Sequence, residues 1–218
     1  MQRSQSILVK LSTLALVASV AAPGAFAAKA KKAADKKAAP ATEAKVEIDP
    51  AASVLKWEGK KVTGQHNGQI KLKSGSLVMS GKELKGGEFV VDMTSISDED
   101  LKDAEYNKKL ITHLSSEDFF NVAKYPTAVL KIKSVKSVEG FTGPTFEVTG
   151  DLTIKDKTNE VKFPAMVKTA DGKTTATANI TIDRTKWDIK YGSGKFFTGL
   201  GDKVIYDDFK FDVALASK

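Results

Sequence analysis

The 218-residue chain contains no cysteine. That absence excludes a disulfide framework, a thiolate metal site, a cysteine nucleophile and lipid attachment through cysteine. Histidine is scarce as well: only His66 and His113 occur, without the spacing of a metal-ligand motif. No serine sits in a G-x-S-x-G elbow, so hydrolase chemistry of that type lacks its signature. Gly192-Ser193-Gly194-Lys195 resembles a phosphate loop only superficially. Ile189 stands where the first glycine belongs, and Phe196 stands where Ser or Thr must follow the lysine. Asp98-Glu99-Asp100 lacks the glycine and spacing of a calcium loop. A helix N-terminus accounts for those acids better.

Long apolar runs are also few. The run at 11–22 is twelve residues long, and a membrane-spanning helix needs about 20. Arg3 and Lys10 flank its polar start, Pro23-Gly24 breaks it, and Ala25-Phe26-Ala27 follows. This order is that of a secretory signal peptide. Residues 1–27 are therefore expected to be removed after Ala27, which places the mature protein in the periplasm of a Gram-negative source. Residues 28–45 are mostly Ala and Lys, with no large apolar side chain to build a core. They read as a flexible linker. Weak electrostatic contact with anionic envelope surfaces, at about 1 kcal/mol per Lys, is the sharper alternative.

The excess of positive charge is confined to this leader. Residues 1–45 hold eight bases against two acids, a balance of +6; the remaining 26 bases and 25 acids leave 46–218 at +1. A nearly neutral domain lacks the electrostatic footprint of a nucleic-acid binder.

What is abundant after Val46 is alternation. Leu55 and Trp57, Ile70 and Leu72, Phe89, Val91 and Met93, Leu130 and Ile132 each alternate with polar neighbours. So do Phe146 and Val148, Val161 and Phe163, Ile180 and Ile182, and Phe209 through Leu215. Period two marks strands with one buried face. Turns are expected at Ser74-Gly75, at 156–159 and at Asp171-Gly172, the last being the strongest hairpin signal. The chain reads as all-β, with about eight antiparallel strands in a sandwich or closed barrel. The segment 98–114 breaks the period and reads as one short helical excursion, with Ser97-x-x-Asp100 as a capping box. The inward set includes small residues, Gly59, Gly68, Gly150, Ala165, Ala176 and Ala178. An eight-stranded barrel is just wide enough to fill with side chains or to hold one ligand, so both a packed interior and a lumen remain open.

One block is more specific. Leu110-x-x-His113-Leu114-x-Ser116-x-Asp118-Phe119-Phe120-Asn121-Val122-x-x-Tyr125-Pro126 resembles the YceI-like family. So do Val46-x-Ile48-Asp49-Pro50-x-x-Ser53-x-x-x-Trp57, Val148-x-Gly150-x-Leu152-Thr153, and Ile182-x-Arg184-x-x-Trp187. The resemblance spans the whole of 46–218 apart from its last residues. It implies an extended, lipocalin-like eight-stranded antiparallel barrel. It also implies non-catalytic binding of a polyisoprenoid or similar long-chain lipid, such as a prenyl quinone, with no other cofactor and no metal.

On that reading Leu55, Trp57, Ile70, Leu72, Phe89, Val91, Phe146, Val148, Ile180, Phe209 and Phe211 line the lumen. Arg184 and His66 meet the polar head, and Phe119, Phe120, Phe196 and Phe197 form the mouth. Carriage or storage of the lipid, a link to envelope stress and a homodimer belong to the same expectation. Two rivals stay open: an enzyme using His66 or His113 on a lipid head group, and an envelope-associated interaction module whose barrel is filled.

Overall fold

The computed structural model describes residues 42–138 and 145–218. The export segment, with residues 28–41 of the linker, lies outside the described residues. Nine antiparallel strands form one sheet: β1 (Glu43–Glu47), β2 (Val54–Lys61), β3 (Gly64–Ser80), β4 (Glu83–Asp98), β5 (Thr127–Val138), β6 (Thr145–Ile154), β7 (Lys157–Ala170), β8 (Lys173–Asp183) and β9 (Ile205–Ala216). A single helix, α1 (Ala104–Ser115), lies between β4 and β5.

The nine strands occupy eight positions round a closed barrel. β1 pairs with the far half of β3, Val46 opposite Leu77, and β2 with its near half, Leu55 opposite Ile70. β9 runs along the other side of both: Leu55 faces Val213, and the Asp49 N–H donates to the Ala216 carbonyl at 2.8 Å. Pairing of β3 with β4 closes the ring. The expected all-β antiparallel barrel with one helix is therefore what the chain forms. β1 begins before Val46, so residues 43–45, assigned by composition to the linker, belong to the wall. Their pairing with Ser80, Met79 and Val78 uses backbone groups that any side chain leaves available.

Three local expectations change. Ser74-Gly75 makes no turn, because β3 runs straight through it. Gly75 is there because a Cβ would stand 2.6 Å from the Phe89 ring. The loop at 156–159 shrinks to Lys155-Asp156, both at positive φ, as a two-residue hairpin turn requires. The helix is capped by Asp103, whose carboxylate accepts the Glu105 and Tyr106 N–H groups at 2.9 and 3.0 Å. Ser97 and Asp98 instead finish β4, and the acids of 98–100 turn toward the start of β3, as described below.

Two departures from regular pairing shape one end of the barrel. β7 pairs with β8 only from Ala165 onward. Pro164, which has no N–H to give, stands where that pairing stops. The gap beyond it is filled by the 3₁₀ turn Arg184–Trp187, where Trp187 is 1% exposed and its indole N–H donates to the Leu152 carbonyl at 3.0 Å. Nearby, Gly68 permits a close approach of β3 to β4, since a Cβ there would lie 1.8 Å from the Ser97 carbonyl oxygen. That carbonyl accepts the Trp57 indole N–H at 3.0 Å.

Candidate ligand-binding site

The barrel wall turns apolar side chains inward from every position, yet they do not fill it. A cavity of about 250 Å³ runs inside, lined almost wholly by apolar side chains. The clearest sign is on β9. Phe209, Phe211 and Val213 alternate with Lys210, Asp212 and Ala214 and point inward, but are only half-buried. Ala178 and Ile180 on β8, Val91 on β4, Leu130 on β5 and Leu152 on β6 behave alike. Inward residues that keep accessible surface face empty space. For scale, a dry apolar cavity of ~150 Å³ is enough to take up benzene.

The cavity is asymmetric along the axis. At the end where β1 enters, Ile48, Met79 and Phe146 are 2%, 4% and 3% exposed, belong to the packed core and do not border the space. At the other end the lining becomes polar through Lys60, Lys61, His66, Arg184 and Tyr206. Register places these together, because Gly59 is opposite both His66 and Phe209, and Lys61 is opposite Ile205. Leu110 and Leu114 of α1, with Phe119 and Phe120 just beyond it, border the same end. The Phe119 ring meets His113 edge-on at 4.9 Å and Tyr191 at 5.5 Å, while Phe120 meets Phe209 at 6.2 Å.

Of the site residues read from sequence, Leu55, Trp57, Ile70, Leu72, Phe89, Val91, Phe119, Phe120, Val148, Ile180, Phe209, Phe211, His66 and Arg184 border the cavity. Three do not. Phe146, second in β6, packs the closed end instead of lining the space. Phe196 and Phe197 lie on the loop before β9, each 49% exposed, away from the cavity wall. Two small residues also have another role. Gly68 serves the strand approach above, and Gly150 admits the Lys131 carbonyl, 2.9 Å from a built Cβ. Gly59, Ala165, Ala176 and Ala178 do face the space.

Arg184 reaches the lining but is not a free head-group donor. It is 3% exposed. Its guanidinium donates to the carbonyls of Ile189 at 2.9 Å, Ile205 at 3.0 Å and Tyr206 at 3.1 Å, with Asp207 at 3.5 Å. Burial pulls its pKa down, and Asp207 and Asp183 oppose that pull. It clamps the loop before β9 to the end of β8. Trp187 and Arg184 could be seen in the sequence as isolated large residues after β8, but their partners are backbone carbonyls of β6, β9 and the loop between, which no periodicity encodes.

His66 is tied down as well. Its Nδ1 lies 2.9 Å from Asp100 Oδ2, while Asp100 Oδ1 accepts the Asn67 N–H at 2.8 Å. Asp98 stands beside them: one ligand atom from each of His66, Asp98 and Asp100 falls within 4.8 Å of the others. Asp98 Oδ1 accepts from the Leu101 N–H and the Asn107 side chain, but its Oδ2 is buried without a donor. Burial raises the Asp98 pKa, with the neighbouring Asp100 adding to the rise against the Leu101 N–H. Asp100 is also pushed up by burial, but the Asn67 N–H and His66 outweigh this and bring it below the usual value. The two neighbouring carboxylates are thus pushed in opposite directions, Asp98 up and Asp100 down.

Sequence reasoning missed Lys60, Lys61, Leu110, Leu114, Ile189, Ile205 and Tyr206 as lining residues. Leu110 and Leu114 carried a signal in their i, i+4 spacing. The loop residues carried none.

Comparison with known proteins agrees with this architecture. The crystal structure of Burkholderia cenocepacia BcnA superposes with a TM-score of 0.62 at 22% identity, covering 78% of this chain and 99% of that one. A polyisoprenoid binding domain from Saccharophagus degradans, implicated in plant cell wall breakdown, gives 0.56 at 13% identity, covering 81% and 99%. At such identities the likeness is one of fold. No curated protein matches the chain. The model of the YceI-like domain matches residues 46–216, which is every strand of the barrel but the first residues of β1, and on that match the chain belongs to the YceI-like family.

Proposed function

We propose that the barrel binds a long apolar chain, a polyisoprenoid lipid or prenyl quinone, and holds it as a carrier or store without chemical change. One observation carries the reading: the inward-facing Ala178, Ile180, Phe209, Phe211 and Val213 stay only half-buried along a cavity that is apolar except at one end. Each CH₂ buried there contributes roughly 0.8 kcal/mol. About ten such carbons give ~8 kcal/mol gross, near micromolar affinity before the costs of association. No polar constellation is needed for that. The structural likeness to a polyisoprenoid binding domain supports the same cargo. The N-terminal sequence, with its charged start, short apolar run and Ala-Phe-Ala, supports a periplasmic setting.

Native mass spectrometry of freshly purified protein tests the proposal. A co-purified lipid released on activation, or stoichiometric uptake of a prenyl quinone by emptied protein, is the expected result. Protein that is empty as isolated and takes up no quinone would overturn it.

A further inference from the structure

The end of the barrel where the cavity turns polar also carries exposed aromatic side chains. Phe196 and Phe197 are each 49% exposed, Tyr191 44%, Tyr206 51% and Val62 52%. Backbone hydrogen bonds join the segments that carry them. The Ile205 N–H donates to the Gly192 carbonyl at 2.8 Å, which sets Tyr191 beside Tyr206, and the Val62 N–H donates to the Val204 carbonyl at 3.1 Å.

The exposure of the two phenylalanines is held in place. The Phe196 and Phe197 N–H groups both donate to the Ser193 carbonyl at 3.1 Å, and Ser193 is itself 0% exposed. Ile189 at the start of the loop is also 0% exposed, and Arg184 clamps its carbonyl. Lys195 Nζ reaches Asp183 at 2.9 Å and Asp207 at 3.2 Å, pinning the residue before Phe196. The loop is anchored from below and presents its rings outward.

Lys190 Nζ stands 5.0 Å from the centre of the Phe196 ring and pairs with Asp188 at 2.6 Å. Lys61 and Lys203 are exposed, and among the described residues neither has an acidic partner within ion-pair distance. Fixed aromatic rings on the end that also carries the unpaired Lys61 and Lys203 match an interface that is apolar just beneath an anionic surface.

We propose that this face docks on the surface of an anionic phospholipid bilayer, with Phe196 and Phe197 entering the head-group layer and Lys61 and Lys203 on the lipid charges. The cavity then opens toward the source of its cargo. The purpose of docking rests on the lipid-binding reading; the docking itself does not.

Co-sedimentation of the full chain with vesicles of equal parts phosphatidylglycerol and phosphatidylcholine, free of isoprenoid, tests it. Binding is expected to these vesicles and not to phosphatidylcholine alone. The double variant F196S/F197S should lose about tenfold in partitioning, the effect of two half-exposed rings no longer withdrawn from water. K61E/K203E should lose binding too and so checks the surface independently if the phenylalanine variant fails to fold. Both variants binding within twofold of the parent chain, or a parent chain that ignores anionic vesicles, would overturn the proposal. Quinone uptake measured on the same F196S/F197S protein separates the two ideas. Vesicle binding lost with uptake kept supports docking, whereas absent uptake in a vesicle-binding parent chain overturns only the reading of the cavity.

Discussion

Replacing Ala178 by phenylalanine isolates the empty interior from every other feature of the fold. Ala178 lies in the middle of β8, opposite Ala165 on β7 and Val213 on β9, and all three border the cavity. A benzene-sized ring fills a void of ~150 Å³, so one added phenyl takes more than half of the roughly 250 Å³ present. Excluding a single five-carbon unit of a prenyl chain removes ~4 kcal/mol of burial, close to a thousandfold in affinity. Stability moves the other way. At ~24 cal/mol per Å³ of void removed the gain is at most ~3–4 kcal/mol, and cavity-filling changes more often give ~0.5–2 kcal/mol. The expected outcome is a protein as stable as its parent or more so, by urea denaturation, that no longer takes up prenyl quinone in a fluorescence titration. Destabilisation by the ~1–3 kcal/mol typical of overpacking would mean that the interior is already full. Affinity within threefold of the parent would mean that the ligand lies elsewhere.

Gly59 borders the cavity near its polar end and a Cβ there meets nothing within 4 Å; Gly59→Leu should fold normally and slow quinone uptake in stopped-flow mixing. Asp98 has a raised pKa, so ionising it costs the folded state. That cost is absent below the unfolded value of about 4 and grows as pH rises through the folded one. Asp98→Asn should therefore raise the melting temperature by about 2–4 °C at neutral pH, equivalent to ~1 kcal/mol for a partly exposed site, with the difference vanishing in scans below about pH 4. Arg184→Lys keeps the charge but cannot serve three carbonyls in a plane; a loss of about 2–4 kcal/mol in urea denaturation is expected.

How much the sequence discloses depends on whether a residue's environment is set by its neighbours in the chain. Along β7, Val161, Phe163, Ala165 and Val167 are buried and Glu160, Lys162, Pro164 and Met166 are not; period two states this directly. It states equally well that Phe146 points inward, but not how far along the axis the void extends. Inward direction follows from the pleat, whereas depth follows from register with β5 and β7, a long-range property. The glycines fail for a related reason. Gly59 and Gly68 look alike in the sequence, yet one faces open space and the other admits a carbonyl of the next strand. The loop before β9 has no periodicity, so nothing distinguished its exposed Phe196 and Phe197 from the buried Ile189 and Ser193.

An unfilled barrel has to be held open by something other than its own core. Leaving about 250 Å³ empty forgoes roughly 6 kcal/mol by the same cavity coefficient. Several side-chain-to-backbone ties lie at the polar end. The Trp57 and Trp187 indoles donate to the Ser97 and Leu152 carbonyls, Arg184 clamps the carbonyls of Ile189 in the loop and of Ile205 and Tyr206 at the start of β9, and Asp100 joins His66 to the Asn67 backbone. Hydrogen bonds to backbone carbonyls are directional and occupy little volume, so they fix strand ends without entering the lumen. At the opposite end Ile48, Met79 and Phe146 pack as core, and the Ser217 and Ser53 hydroxyls accept the Thr174 and Ala216 N–H groups at 3.0 and 3.2 Å. The ends differ in that one is plugged by apolar side chains and the other is not. That division predicts where substitutions act: truncating the apolar plug should lower stability and leave uptake intact, whereas loosening the polar ties should change uptake as well.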